Sequence, residues 1–374
     1  MSNLVIKVIE GKEIVWFKNS NTYFVFEPII VEILNKIDTA IPISKIEKWC
    51  SKKLDAPKEI IYDFLKNIYA IYKVNNLTIK KEETETKLFK IPNTFISVKY
   101  YLVNGFIFKL NFEDEFHVSK IHPTFAHLEI ESQPKFNFNY IICSHNETIV
   151  FFKGDNFIGV WNKNEAHLFE GKLSMHLLID IYKKPEKDWM GVFHASAISN
   201  GKESMLFLGD SGNGKSTSLA LLNANGFDCV ADDFVPIDSE KIIHTYPAAI
   251  SIKKKSVKTL LPIYPELEDS AEYHFKGLNK IVRYLPPKNI NYNLKLKCKA
   301  LVFIKYNSEV DIKINTISKV EAFQQLVPDS WISPLEKNVT IFLDWFLELP
   351  CYQLTYSNNE KMIKTVSKIF NNEL

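Results

Sequence analysis

The run Gly209-Asp210-Ser211-Gly212-Asn213-Gly214-Lys215-Ser216 satisfies G-x-x-x-x-G-K-[ST] in full and constrains the fold more than any other feature of the chain. The apolar stretch Met205–Leu208 reads as a strand immediately before it. Ser216–Leu222 reads as the helix that follows, stopped by Asn225-Gly226. Gly209, Gly212 and Gly214 free the backbone to curl, so that successive N–H groups point at phosphate oxygens, and the new helix N-terminus adds partial positive charge. Lys215 is placed to reach the β- and γ-phosphates, Ser216 to ligate Mg²⁺, and Thr217 to add a further phosphate contact. The expected cofactors are ATP, or another nucleoside triphosphate, and Mg²⁺. A strand, a phosphate cradle and a helix in this order require an α/β fold.

After the helix, Phe227–Val230 reads as a strand ending in Ala231-Asp232-Asp233-Phe234. In α/β sheets, ligands lie at the carboxyl ends of strands. One carboxylate can hold a metal while the other accepts a hydroxyl proton, and like charges this close raise one pKa. A solvated Asp-Asp turn is the alternative. His194 lies in the apolar stretch Val192–Ile198, one strand before the cradle. A lone histidine in an apolar strand is more often a core residue, so its place in the order is what makes it a candidate.

Arg283 is the single arginine among 46 basic residues. A bias toward lysine explains the others but not the exception, because lysine cannot supply a rigid planar fork. Arg283 lies in 251–300, a segment with eleven Lys/Arg and four acids. A planar cation aimed there at a γ-phosphoryl group would stabilise charge developing in transfer, and a structural ion pair is the alternative. Lys253 is a second candidate phosphate contact, against a solvated run Lys253-Lys254-Lys255.

His194-Ala195-Ser196-Ala197, the glycine-rich run and Ala231-Asp232-Asp233 together resemble the HPr kinase/phosphorylase family, whose core reads H-(A/G)-S, G-x-S-G-x-G-K-S and (A/V)-D-D at similar spacing. The resemblance covers about 40 residues. It implies a phosphoenolpyruvate-carboxykinase-like P-loop kinase core, bound nucleotide and Mg²⁺, and phosphate transfer to a serine or threonine hydroxyl. It also implies Asp232 as base toward the acceptor, Asp233 as a metal-binding or water-positioning acid, His194 as partner of the pair, and Ser216 as Mg²⁺ ligand. The family's E-I-R-G-L-G loop is missing. In its place stand Pro247–Lys253 and, later, Lys276–Pro287, so the resemblance carries neither HPr as substrate nor reverse phosphorolysis. The chain looks more like the HPr-kinase-related proteins of peptide-biosynthesis clusters, including lasso-peptide-tailoring kinases.

At the other end, Val5–Ile9, Glu13–Phe17 and Thr22–Phe26 read as strands. Three helical stretches follow, opened by Pro28, Ile43-Ser44 and Ala56-Pro57. This small winged-helix-like pattern over Leu4–Val74 resembles the PqqD-like family of precursor-peptide recognition domains. The alternative is an unrelated winged helix on DNA, for which Lys45, Lys48, Lys52 and Lys53 form a weak basic face balanced by Glu47 and Asp55.

The expected division is a winged-helix-like domain at 1–78, a charged linker at 79–90, and a kinase-like domain at 91–374. Within the last, 91–185 reads as a β-rich, mainly antiparallel part and 186–374 as the core, with the elements after Ala300 serving as scaffold. A net charge of +2 argues against a general nucleic-acid binder. No apolar run reaches membrane-span length, and no signal-peptide pattern opens the chain. Five scattered cysteines without a C-x-x-C pair fit a reducing cytoplasm. The expected activity is a cytoplasmic ATP- and Mg²⁺-dependent kinase of a ribosomally made precursor peptide. One alternative is a kinase of a small molecule or carrier protein whose N-terminal domain mediates homo-oligomerisation; the other is a nucleotide-sensing, DNA-binding regulator.

Overall fold

The computed structural model describes residues 2–77, 89–131, 134–275, 280–288 and 290–374. Residues 79–88 of the expected linker and 276–279 of the stretch standing in for the E-I-R-G-L-G loop lie outside the described residues. The chain is mixed α/β and divides into two units, Met1–Glu82 with Thr316–Cys351 and Glu83–Asn315 with Tyr352–Leu374. No described helix is long and apolar enough to cross a membrane.

In the smaller unit, β1 (Leu4–Ile9), β2 (Lys12–Phe17) and β3 (Thr22–Phe26) form an antiparallel sheet in that order. Glu10 and Gly11, both at positive φ, make the two-residue turn that sets Ile9 opposite Lys12. Helices α1 (Pro28–Asp38), α2 (Ile43–Leu54) and α3 (Lys58–Asn76) follow. Val31, Leu34, Ile46, Cys50, Ile61, Leu65 and Ile68 pack with Val15 and Phe17 in one buried cluster.

The larger unit begins with a five-stranded sheet of β4 (Ser97–Val103), β5 (Phe106–Phe112), β6 (Phe138–His145), β7 (Thr148–Lys153) and β8 (Asn156–Asn162), in chain order. All pairs are antiparallel except β5–β6. That parallel step needs a crossover, supplied by α4 (Glu115–Phe125), which Asp114 caps by accepting the His117 N–H at 3.0 Å. Helix α5 (Ala166–Tyr182) has no counterpart in the sequence reading. It buries Ala166, Phe169, Leu173, Met175, Leu177, Leu178 and Ile181, so its apolar residues circle the axis and leave no one-sided stripe to read.

Strands β9 (Trp189–Phe193), β10 (Ser196–Ser199) and β11 (Glu203–Leu208) lead into α6 (Lys215–Ala224). Then come β12 (Asp228–Asp232), β13 (Val235–Asp238), β14 (Ile242–Ile243), β15 (Ile250–Lys253), α7 (Lys254–Leu260), β16 (Tyr273–Phe275), β17 (Lys280–Leu285) and β18 (Leu296–Tyr306). Along the path β12-β10-β11-β18-β14-β13-β9 of the central sheet, β11–β18 is the parallel pairing and the others are antiparallel. β15, β17 and β16 make a separate antiparallel sheet. Leu219, Leu221 and Leu222 of α6 share a buried cluster with Met205, Phe207, Val302, Ile304, Ile250 and Ile252. Helix α6 is thereby clamped between both sheets.

The chain continues through β19 (Ile312–Thr316), α8 (Lys319–Leu326), β20 (Ser330–Ile332), α9 (Glu336–Glu348), β21 (Cys351–Tyr356) and α10 (Asn359–Phe370). Thr316–Cys351, read from sequence as scaffold of the 186–374 part, belongs to the smaller unit. Tyr23 of β3 meets Phe323 and Phe342 with ring centroids 6.0 and 5.8 Å apart. Lys7 pairs with Asp344 at 2.7 Å. α8 and α9 thus cover the sheet face opposite α1–α3, which explains why Ile14, Val15, Trp16 and Phe17 are all buried rather than alternating.

Candidate functional site

The glycine-rich run spans the turn between β11 and α6. Gly209 and Gly214 stand at φ +127 and +97, where a side chain is strained. A Cβ on Gly209 would meet the Ile304 carbonyl oxygen at 2.9 Å, and one on Gly214 the Tyr356 hydroxyl at 3.2 Å, so both positions also lack room. Lys215 is almost fully buried, and its Nζ donates to the Gly209 carbonyl at 2.6 Å across the mouth of the loop.

An open cavity of about 490 Å³, solvent mouth included, lies over this loop. Asp210, Ser211, Gly212, Gly214, Lys215, Ser216 and Thr217 line one side of it. His194, Asp233, Ser251, Lys253 and Ser256 line the rest. Gly209 and Asn213 shape the turn without lining the cavity. Lys253, at the end of β15, donates to Ser211 Oγ at 2.6 Å, and Thr217 Oγ1 donates to Ser256 Oγ at 2.8 Å. Two lysines therefore meet the loop from opposite elements.

The two aspartates occupy different environments. Asp232, the last residue of β12, is 2% exposed and lies opposite Ser196 in the β10–β12 pairing. Its Oδ1 accepts from Ser196 Oγ at 2.6 Å and Ser216 Oγ at 3.1 Å, and its Oδ2 from the Ser251 N–H at 3.0 Å. Burial and the neighbouring Asp233 charge push its carboxyl up to about 7, against these hydrogen bonds, which favour the charged form. Asp233 turns left-handed at φ +60, which ends the strand and aims its side chain into the cavity, 41% exposed. His194 sits in the bend between β9 and β10, not inside one strand, with its Nδ1 3.8 Å from Asp233 Oδ1. That separation is longer than a hydrogen bond.

Arg283 is not brought to the cavity. From β17 its guanidinium donates to the carbonyls of Leu267 and Glu268 and pairs with Glu272 at 3.2 Å. It ties the turn before β16 to the small sheet, which is the structural ion-pair alternative. Three serines near the aspartates carried no role in the sequence. Ser196 was visible as a neighbour of His194, and only the strand register shows that it holds Asp232. Ser251 acts through its backbone N–H, for which no side-chain signal exists, and Ser256 enters on a helix the sequence did not suggest.

Comparison with protein-family models and with curated proteins finds no match to this chain. Among the described residues, no group of three or more His, Cys, Asp or Glu side chains stands ready to hold a metal.

Proposed function

We propose that the larger unit is a P-loop kinase that transfers the γ-phosphoryl group of a nucleoside triphosphate to a hydroxyl, and that the natural acceptor is a serine or threonine of a ribosomally made peptide. One observation carries the reading: a single cavity joins the phosphate cradle of Lys215, Ser216 and Lys253 to an open carboxylate, Asp233, beside His194. A nucleotide sensor needs the cradle but no accessible base. The winged-helix-like pattern of the N-terminal segment adds peptide capture, which raises the local concentration of a short acceptor.

Ser216 Oγ and Asp232 Oδ1, 3.1 Å apart, are hard oxygen donors that fit Mg²⁺, an ion usually held by one or two carboxylates together with substrate phosphates. When bound there, Mg²⁺ would neutralise charge developing on the phosphates. The geometry favours the reverse of the roles implied by the motif. Asp232 is buried against Ser216 and serves the metal side, while Asp233 faces the acceptor. In the transfer, the acceptor oxygen bonds to the γ-phosphorus and the bond from that phosphorus to the β–γ bridging oxygen breaks. The acceptor proton passes to an Asp233 oxygen, and the nucleoside diphosphate leaves. Lys215 and Lys253 hold the phosphates, and His194 keeps the Asp233 carboxylate in a positive field when protonated.

The test is incubation of the full chain with ATP, Mg²⁺ and peptides encoded beside its gene, read by intact mass. A peptide should gain one phosphate, and Asp233→Asn should cut turnover at least a hundredfold while ATP affinity stays within about threefold. Nucleotide binding without transfer to any of these peptides would remove the peptide-kinase reading.

A further inference from the structure

Tyr306 ends β18, which pairs in parallel with β11 in the central sheet of the larger unit. Ligands of α/β sheets lie beyond the carboxyl ends of parallel strands, so this residue and the glycine-rich loop open onto the same edge. The Tyr306 N–H donates to the Asn213 carbonyl at 3.0 Å, which stitches the strand end to the loop. Its Cβ lies 3.6 Å from the position a Cβ on Gly214 would take. Tyr356 braces the ring edge-on, with centroids 5.7 Å apart and planes at 87°, and the Tyr356 hydroxyl is itself hydrogen-bonded to Ser218 Oγ of α6 at 2.8 Å. Despite this bracing, Tyr306 is 52% exposed.

A single exposed aromatic is ordinary on a protein surface. This one is held rigid on one side, open on the other, and fixed by its own backbone to the loop that would hold the phosphates. Among the described residues, the cavity is lined by charged and hydroxyl side chains and two glycines, with no aromatic ring to receive a heterocycle. We propose that Tyr306 is the platform on which the nucleobase of the triphosphate stacks. The inference rests on the phosphate-binding reading of the cavity and adds the group that distinguishes a nucleotide from a bare polyphosphate. Stacking uses a π-face that every base presents, so the platform favours nucleotides as a class.

Calorimetric titration of the full-length chain with ATP and with inorganic tripolyphosphate, both with Mg²⁺, separates the two claims. Wild type should bind both, with ATP the tighter. Tyr306→Ala should weaken ATP about tenfold or more and leave tripolyphosphate unchanged, while Tyr306→Trp should keep ATP affinity. Equal loss of both ligands, or no loss of ATP affinity, in Tyr306→Ala overturns the platform and leaves the kinase reading standing. Failure of wild type to bind either ligand overturns both.

Discussion

Asp238, at the end of β13, is a buried carboxylate outside the cavity held by several donors, and its ionisation should set an acid limit on the larger unit. Its side chain is 2% exposed and accepts from Lys184 Nζ at 2.5 Å, His244 Nε2 at 2.7 Å and the N–H groups of Glu240 and Ile242 at 2.9 and 3.0 Å. Burial alone would raise its pKa. The bonds from His244, Lys184 and Ile242 outweigh that and bring it down to about 2, from an ordinary 3.8. The folded state therefore holds the charged form more tightly than the unfolded chain does. The contribution is complete above about pH 4 and is lost as pH falls through about 2. Taken in full, the shift is worth roughly 2.5 kcal/mol. Lys184 is 26% exposed, so solvent screening trims this to about 1–2 kcal/mol. Urea unfolding of wild type and Asp238→Asn should be followed by tryptophan fluorescence between pH 6 and 2. Trp189 is a local reporter, with its ring centroid 4.9 Å from that of His244. Near pH 6 the wild type should be the more stable, and its advantage should shrink by about 1–2 kcal/mol on the way to pH 2. A difference that stays constant across the window would refute the depressed ionisation, and no difference at any pH would refute the bonding role.

Gly214→Ala places a methyl at φ +97 and 3.2 Å from the Tyr356 hydroxyl; it should cost roughly 1–2 kcal/mol of stability and at least tenfold in tripolyphosphate affinity by calorimetry. Unchanged affinity would mean that this loop does not hold phosphate. Arg283→Lys removes the fork shared between the Leu267 and Glu268 carbonyls and Glu272, so the thermal midpoint should drop by roughly a few degrees while turnover stays within about twofold. The opposite pattern, lost turnover at an unchanged midpoint, would return Arg283 to the reaction.

What was legible in the chain is what local backbone chemistry dictates. The glycine-rich run announces its turn because Gly209 and Gly214 occupy conformations and spaces that a side chain cannot, and β1–β3 announce themselves through turn residues and β-branched runs. What stayed hidden depends on partners far away in sequence. Helix α5 spreads its buried residues, from Ala166 and Phe169 to Met175 and Leu178, around much of its circumference, which blurs the period that marks a helix. Two adjacent aspartates look equivalent in sequence, yet the β10–β12 register sets Ser196 against Asp232 and a left-handed turn swings Asp233 into the open. The scarcity of arginine singles out Arg283 as a position to examine. Scarcity does not say what the residue does, because the carbonyls of Leu267 and Glu268 that it binds belong to the backbone and leave no mark on residue identity. Residue type bounds the chemistry a position can perform, and strand register decides which of two neighbours performs it.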